Sequence, residues 1–437
     1  MFSDKLKRLS ANVFWLAFNR VFRMAVGVVV LGAVGRHLGP ASFGVFNYAV
    51  NLATLFVSVA TLGFEGIVIR ELVRTPDRTN EILGTAFWLR LCGGLVGLVL
   101  VLLTGLVVQD SKVTLILALI VSMGFFPQSF EVIDLWFQKN IEAKFGVFAR
   151  LFSVLLGAGI KLWFVAIRAP LSAFAVAVVL DAGIAAFALI AIYRWRGKSV
   201  MDWKYSSTLA MRILKDSWPL VLSGVLVGVY VRVEQFLVMS FLGERSMGIY
   251  FAALRVSETW AMIPMMLLST VYPMLAAQRE RNSENYRVAF QTIFDGLTIL
   301  GFAIALVMSA ISPWVVKALY GAQYSDAAAV LIVQAWCAPI VFSGSVRGQY
   351  FLLENLTIYH TFAALIGIAV NLAAGIILMA RFGTVGAALG ALIGYLVAGY
   401  VSSFLFASLR SCGAMQTKSF LWPFRFRSFL SAVSRFR

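Results

Sequence analysis

The fold is decided by the first long apolar stretch, residues 12–31, which reads NVFWLAFNRVFRMAVGVVVL. A run of about twenty mainly apolar residues is long enough for a helix to cross the hydrocarbon core of a bilayer. This run carries Asn19, Arg20 and Arg23 near its middle, where an arginine costs roughly 2.5–3.5 kcal/mol on insertion scales. Because such residues face protein or water rather than lipid, we expect this span to line an interior.

The next apolar stretch, residues 43–69, carries a stripe of polar residues on one helical face. The stripe repeats every three or four residues and consists of Asn47, Asn51, Thr54, Ser58, Thr61 and Glu65. In so apolar a segment, a polar face turns either to neighbouring helices or to an aqueous cavity. We favour the cavity, and polar contact between packed helices is the alternative.

Composition extends this interpretation to the whole chain. Of the 437 residues, 61% are hydrophobic and 13% are charged, and the mean hydropathy is +0.87. Apolar windows recur along the entire length without a polar block large enough for a soluble domain, which predicts a polytopic membrane protein. The three cysteines are far apart and favour neither a disulfide framework nor a metal cluster.

We predict an all-α integral membrane protein with twelve transmembrane helices. The segments are too long and too uniformly apolar for the alternation of a β-barrel. The predicted spans are residues 11–34, 43–69, 82–108, 113–137, 145–167, 170–193, 217–241, 246–275, 288–316, 326–350, 357–380 and 384–409.

The lysines and arginines give the expected orientation. Of the 37 in the chain, 24 lie on or next to one set of alternate connections and the termini, six lie on the other set, and seven lie within spans. Because cytoplasmic loops are enriched in these residues, the pattern predicts that both termini are cytoplasmic. It also accounts for the net charge of +17 without nucleic-acid binding.

A repeat relates the two halves of the chain. Residues 38–49 and 242–253 are identical at five of twelve positions, at a constant offset of 204. Internal repeats are typical of transporters. We therefore predict two six-helix lobes, related by a pseudo-two-fold axis around a central cavity. The predicted N-terminal lobe is residues 1–195, a cytoplasmic interfacial linker is 196–216, the C-terminal lobe is 217–410, and a basic amphipathic cytoplasmic tail is 411–437.

Several further charged residues within spans are candidates for function. The offset places Arg255 opposite Asn51, and Glu258 is three residues later on the same face, where it could instead neutralise Arg255. Arg90, in the third span, is another candidate for substrate binding. The carboxylates that could carry a proton or sodium ion are Glu65, Asp181 and Glu234, although balancing arginines is the alternative role.

The sequence predicts neither enzymatic activity nor a cofactor or metal. His37 and His360 are the two histidines, and they form no Cys/His metal pattern and no nucleophilic triad. The glycines are scattered through the spans and form no phosphate-binding loop before a Lys-Ser or Lys-Thr pair.

Four loose motifs carry a resemblance to a known family. They are Leu38-Gly39-x4-Gly44, Arg70-Glu71 after Gly63, Tyr320-Gly321-x2-Tyr324-x2-Ala327, and Gly383-x2-Gly386-Ala387-Ala388. With them the chain resembles the polysaccharide-biosynthesis branch of the multidrug/oligosaccharidyl-lipid/polysaccharide (MOP) exporter superfamily, close in pattern to O-antigen-type flippases. The similarity covers nearly the whole length.

The resemblance implies a flippase of the bacterial inner membrane that acts by alternating access. Its substrate would be an undecaprenyl-pyrophosphate-linked oligosaccharide for O-antigen or exopolysaccharide synthesis, with glycosyltransferases and a polysaccharide polymerase as candidate partners. In related flippases, arginines on the first and eighth spans are thought to hold the pyrophosphate, which implies this role for Arg20, Arg23 and Arg255. The alternative is a cation-coupled multidrug exporter of the same superfamily, which would need carboxylates and aromatic groups for organic cations.

Overall fold

The computed structural model describes the backbone of residues 2–108, 111–281 and 283–421, and the side chains of residues 24–108, 111–279 and 285–421. Within these residues the secondary structure is helical and contains no strand. The all-α prediction is therefore confirmed.

Sixteen α-helices follow one another along the described chain. In order, α1 to α16 are Phe2–Leu55, Val57–Thr61, Glu65–Arg74, Thr79–Val107, Lys112–Ser122, Phe125–Gln128, Val132–Lys139, Lys144–Ala166, Leu171–Trp195, Ser207–Ala261, Ile263–Arg281, Ser283–Tyr320, Ala327–Leu353, Thr357–Leu396, Ser402–Leu405 and Arg410–Phe420. A π-helical turn, Val397–Val401, joins α14 to α15.

Nine segments of the described chain are long and apolar enough to cross a membrane. Three of them are much longer than one span: Met24–Arg74, Ser207–Arg279 and Thr357–Leu405. Each of these three contains a non-helical glycine, which is Gly39, Gly243 or Gly383. Counting each long segment as two spans would give the twelve that the sequence predicts, and the exact number stays a prediction.

The breaks at Gly39 and Gly243 have nearly the same backbone conformation. Gly39 has φ 75° and ψ 165°, and Gly243 has φ 80° and ψ −177°. A positive φ with extended ψ is accessible essentially to glycine alone. These two residues are paired by the 204-residue offset in the sequence, so the repeat extends to the local backbone geometry.

The chain divides into two compact units, residues 1–236 and 237–437. In the first unit, the beginning of α10 packs tightly on the end of α1 and on α2. A Cβ atom added to Gly224 would lie 2.5 Å from Cβ of Ser58, and one added to Gly228 would lie 3.4 Å from the carbonyl oxygen of Leu55. Small residues four apart allow membrane helices to approach this closely.

The segment before α10 is anchored on the first unit. The Lys204 amide donates to the Asn80 carbonyl at 3.1 Å, and the Ser206 amide donates to Oγ1 of Thr85 at 3.0 Å. The indole of Trp203 lies 5.4 Å from the ring of Phe87, centroid to centroid. This part of the predicted interfacial linker is therefore fixed by hydrogen bonds and aromatic packing.

Gly84 offers a direct test of this anchoring. A Cβ atom at position 84 would lie 2.4 Å from the Lys204 carbonyl oxygen and 2.7 Å from the Lys204 nitrogen. Since backbone atoms cannot move aside as a flexible side chain can, we expect Gly84→Ala to destabilise the detergent-solubilised protein by about 1–3 kcal/mol. Thermal unfolding followed by intrinsic fluorescence measures the effect.

The matched control is Gly159→Ala, because no atom lies within 4 Å of a Cβ added at this helical position. It should leave the thermal midpoint unchanged or raise it slightly, since alanine favours helix over glycine. Equal midpoints for both variants would show that the segment is not held against Gly84.

Candidate functional site

The side chains of Asn19, Arg20 and Arg23 lie outside the described residues. Their predicted part in substrate binding therefore stays a prediction. The other predicted site residues are described, and they fall into separate clusters within the two units.

The polar stripe of the second predicted span makes contacts inside the first unit. Nδ2 of Asn51 donates to Oε1 of Gln235 on α10 at 2.5 Å, and both side chains are buried. Nδ2 of Asn47 donates to the Phe43 carbonyl at 2.7 Å, and Ser58 lies against Gly224. For Asn51 and Ser58, contact between packed helices accounts for the polar face, whereas Asn47 bonds to the backbone of its own helix.

The second predicted span is not one continuous helix. It is interrupted after Leu55 and again between α2 and α3, where Leu62 and Gly63 both have φ 57°. The sequence analysis missed these breaks because the apolar pattern continues through them. The second break places Glu65 at the first position of α3, where the helix dipole favours a carboxylate.

Arg90 joins two carboxylates in the first unit. Its Nη2 lies 3.2 Å from Oε1 of Glu65, and its Nη1 lies 3.4 Å from Oε2 of Glu131. Nη1 also donates to the Gln128 carbonyl at 3.3 Å, and the guanidinium carbon is 5.6 Å from the centre of the Phe64 ring. The cluster brings together Arg90 and Glu65, which the sequence analysis selected separately, and adds Glu131.

Exposure differs sharply within this cluster. The Arg90 side chain is 1% exposed, whereas those of Glu65 and Glu131 are 59% and 45% exposed. A buried guanidinium must be compensated locally because desolvating a charge is expensive. One arginine shared by two carboxylates leaves the cluster with a formal charge of −1. The role that this arrangement favours for Arg90 is to neutralise the two carboxylates, rather than to bind an anionic substrate.

The other carboxylates proposed for ion coupling lie elsewhere in the first unit. The ammonium group of Lys161 forms an ion pair with Oδ2 of Asp181, and Ser153 donates to the Asp181 carbonyl at 2.5 Å. Glu234 lies half-buried on α10, next to Gln235. Glu65 and Asp181 are thus each paired with a basic side chain.

Arg255 and Glu258 form an ion pair in the second unit. Nη1 of Arg255 lies 2.8 Å from Oε2 of Glu258, and both side chains are exposed. Residues three apart on a helix lie on one face, which is why the sequence left this pairing open as the alternative to substrate binding.

Arg347 is a buried arginine that the sequence analysis did not select as a candidate. Its side chain is 3% exposed, and its Nη1 donates to Oγ of Ser402 at 2.7 Å and to Oγ of Ser403 at 3.2 Å. Nη2 donates to the Ala398 carbonyl at 2.5 Å. The signal was available, because no acid lies within four residues of Arg347 in the sequence.

Comparison with known proteins identifies the family. A sequence model described as "Polysaccharide biosynthesis protein" matches residues 33–329, more than half of the chain. No curated protein sequence matches the chain significantly.

Solved structures show the same fold. An inward-facing multidrug resistance transporter of the MATE family aligns with a TM-score of 0.72 at 16% identity, over 91% of this chain and 96% of its own. Lipid II flippase MurJ, in an inward closed conformation, aligns with a TM-score of 0.66 at 15% identity, over 96% of this chain and 95% of its own. An outward-facing MATE transporter gives 0.56 at 17% identity, over 93% and 96%.

At these identities the structures establish the fold, and the sequence model establishes the family. The long apolar helices agree with both. The chain therefore belongs to the polysaccharide biosynthesis protein family, and it is a multi-pass membrane protein with the fold of MATE transporters and MurJ.

Proposed function

We propose that this protein is a flippase that moves a polyprenyl-pyrophosphate-linked oligosaccharide from the cytoplasmic to the outer leaflet of the bacterial inner membrane. The observation that carries the proposal is the match of residues 33–329 to a polysaccharide biosynthesis family. The fold shared with a lipid II flippase supports the same class of cargo. Both termini would be cytoplasmic, and two six-helix lobes would alternate access to a central cavity.

Ion pairing of the carboxylates in the first unit disfavours an organic-cation cargo, although it does not itself provide an anion site. An organic-cation exporter needs carboxylates that can receive the cation. In the first unit, Glu65 and Glu131 share Arg90, Asp181 pairs with Lys161, and Oδ2 of Asp134 lies 2.8 Å from Nη1 of Arg150. These four carboxylates are already engaged by basic groups. The alternative of a multidrug exporter rests on the shared fold alone.

The diphosphate would be held by Arg20 and Arg23, with Arg255 as a third ligand. Arg20 and Arg23 lie one turn apart in sequence and have no acid within four residues. Guanidinium groups bind phosphate oxygens through two parallel hydrogen bonds, which makes arginine better suited than lysine to this substrate. Asn19 and Glu258 would border the same site, whereas the buried amide of Asn51 bonds to Gln235.

We expect Arg20→Ala/Arg23→Ala to abolish export of surface glycan, with lipid-linked oligosaccharide accumulating in the cytoplasmic leaflet. Arg20→Lys/Arg23→Lys should retain part of the activity, because the charge remains while the bidentate geometry is lost. Surface glycan measured by lectin binding, at matched membrane levels of protein, tests this. Arg245→Ala, in a predicted outer connection, is the control. Full surface glycan with the double alanine variant would remove Arg20 and Arg23 from the binding site.

Arg255 needs a separate test, because its ion pair gives it a second possible role. If it binds the diphosphate, Arg255→Gln and Arg255→Gln/Glu258→Gln should lose export to a similar extent, since both remove the ligand. If the pair is only structural, the double variant should recover export, because no unpaired carboxylate is left. The same lectin assay distinguishes these outcomes.

A further inference from the structure

The π-helical turn Val397–Val401 in the second unit receives hydrogen bonds from side chains of three other helices, α13, α15 and α16. The Ala398 carbonyl accepts from Nη2 of Arg347 at 2.5 Å and from Oγ of Ser402 at 2.8 Å. The Gly399 carbonyl accepts from Nε2 of Gln416 at 2.8 Å. Within a membrane-embedded segment, backbone groups need partners inside the protein. This turn therefore depends on α13 and α16 for part of its hydrogen bonding.

Arg347 is held at the turn by uncharged groups. Its hydrogen bonds go to Ser402, Ser403 and the Ala398 carbonyl, and its guanidinium carbon is 5.0 Å from the centre of the Phe351 ring. In the described part of the chain, no carboxylate forms an ion pair with Arg347. A buried cation without a counter-charge is costly, so the position of Arg347 depends on keeping these neutral partners in place.

Gln416 links α16 to the same group of residues. It is fully buried, and its Oε1 accepts from Oγ of Ser403 at 2.8 Å. Its Nε2 also donates to Oγ of Ser343 on α13 at 3.1 Å. Ser403 thus touches both Arg347 and Gln416, which makes one continuous polar network from α13 through the turn to α16.

The rest of α16 fits closely on the second unit. A Cβ atom added to Gly413 would lie 3.1 Å from the ring of Phe404 and 3.2 Å from Cβ of Ser403. Oγ1 of Thr298 on α12 donates to Oγ of Ser419 at 3.2 Å. The residues that α16 buries are Cys412, Gly413, Gln416 and Ser419. Three of these four are small or polar, so the contact depends on hydrogen bonds and close approach more than on apolar area.

We propose that α16 is a strap whose docking through Gln416 sets the π-helical form of the turn and thereby fixes Arg347. π-helical turns inside α-helices are frequent at functional sites. α16 itself lies beyond the last predicted span, and a few hydrogen bonds contribute less net stability than a large apolar contact. The strap is therefore suited to undocking from the rest of the second unit. Undocking would free Arg347 and let the π-helical turn change its backbone conformation. This device is independent of the identity of the cargo.

Cys412 reports docking of the strap directly. It is fully buried on the docked face of α16, and burial raises the pKa of its thiol to about 12. Because the thiolate is the reactive form, the docked thiol should react slowly with maleimides at pH 7.5. With Cys92→Ala and Cys337→Ala as background, Cys412 is the single cysteine of the full chain.

The experiment measures the rate of maleimide labelling of Cys412 in purified, monodisperse protein. We expect Gln416→Leu to raise the rate about ten- to hundredfold, since it removes several buried hydrogen bonds. Arg347→Lys should also raise it severalfold, because lysine keeps the positive charge that acts on the Cys412 thiol but cannot reproduce the hydrogen bonds of Arg347 to the turn. Ala414→Gln, on the exposed face of α16, should leave it unchanged.

Two results would overturn the proposal. An unchanged rate for Gln416→Leu would mean that Gln416 does not hold the strap. An increase for Gln416→Leu without one for Arg347→Lys would mean that docking is not coupled to the turn. If Gln416→Leu fails to fold, Ser343→Ala removes one of the hydrogen bonds of Gln416 and should give a smaller increase. An unchanged rate for that variant would equally contradict the proposal.

Discussion

A membrane interior offers no water to satisfy a charge or a backbone polar group, and this constraint explains most of the polar contacts in the protein. Arg90 is buried only together with two carboxylates and a carbonyl. Asp181 lies beside Lys161, and Arg347 is surrounded by hydroxyl groups and a carbonyl. Where the backbone leaves the α-helical form, at Val397–Val401, side chains from other helices supply hydrogen bonds. Each case follows from the high cost of an unsatisfied buried polar group.

A second constraint, the steric limit on backbone dihedral angles, determines where the helices can turn. Gly39 and Gly243 break two long helices with almost the same dihedral angles, at positions that the internal repeat makes equivalent. Glycine is needed there because other residues rarely adopt such a conformation. Gly224 and Gly228 have another purpose, which is to let α10 approach the end of α1 and α2 closely. Glycine therefore determines both the bends and the closest helix contacts.

The sequence predicted features that depend on a single helix. Apolar length gave the all-α membrane fold, and spacing identified Arg255 and Glu258 as a potential pair. It could not predict contacts between distant segments, such as Arg90 with Glu65 and Glu131, or Trp203 with Phe87, because periodicity does not say which helices are neighbours. It also missed the break at Leu62 and Gly63, where the apolar pattern continues although the helix ends. Arg347 could have been found by the same test that selected Arg20 and Arg23.

The central claim is that the cargo is a lipid-linked diphosphate. The most direct measurement uses the purified protein in liposomes that contain a polyprenyl-diphosphate oligosaccharide with a fluorescent label on the glycan. A membrane-impermeant quencher reports how much of the labelled glycan has changed leaflet. We predict protein-dependent movement that unlabelled lipid diphosphate inhibits and that an organic cation such as ethidium does not. Ethidium transport driven by an ion gradient, with the labelled lipid remaining in its original leaflet, would contradict the account.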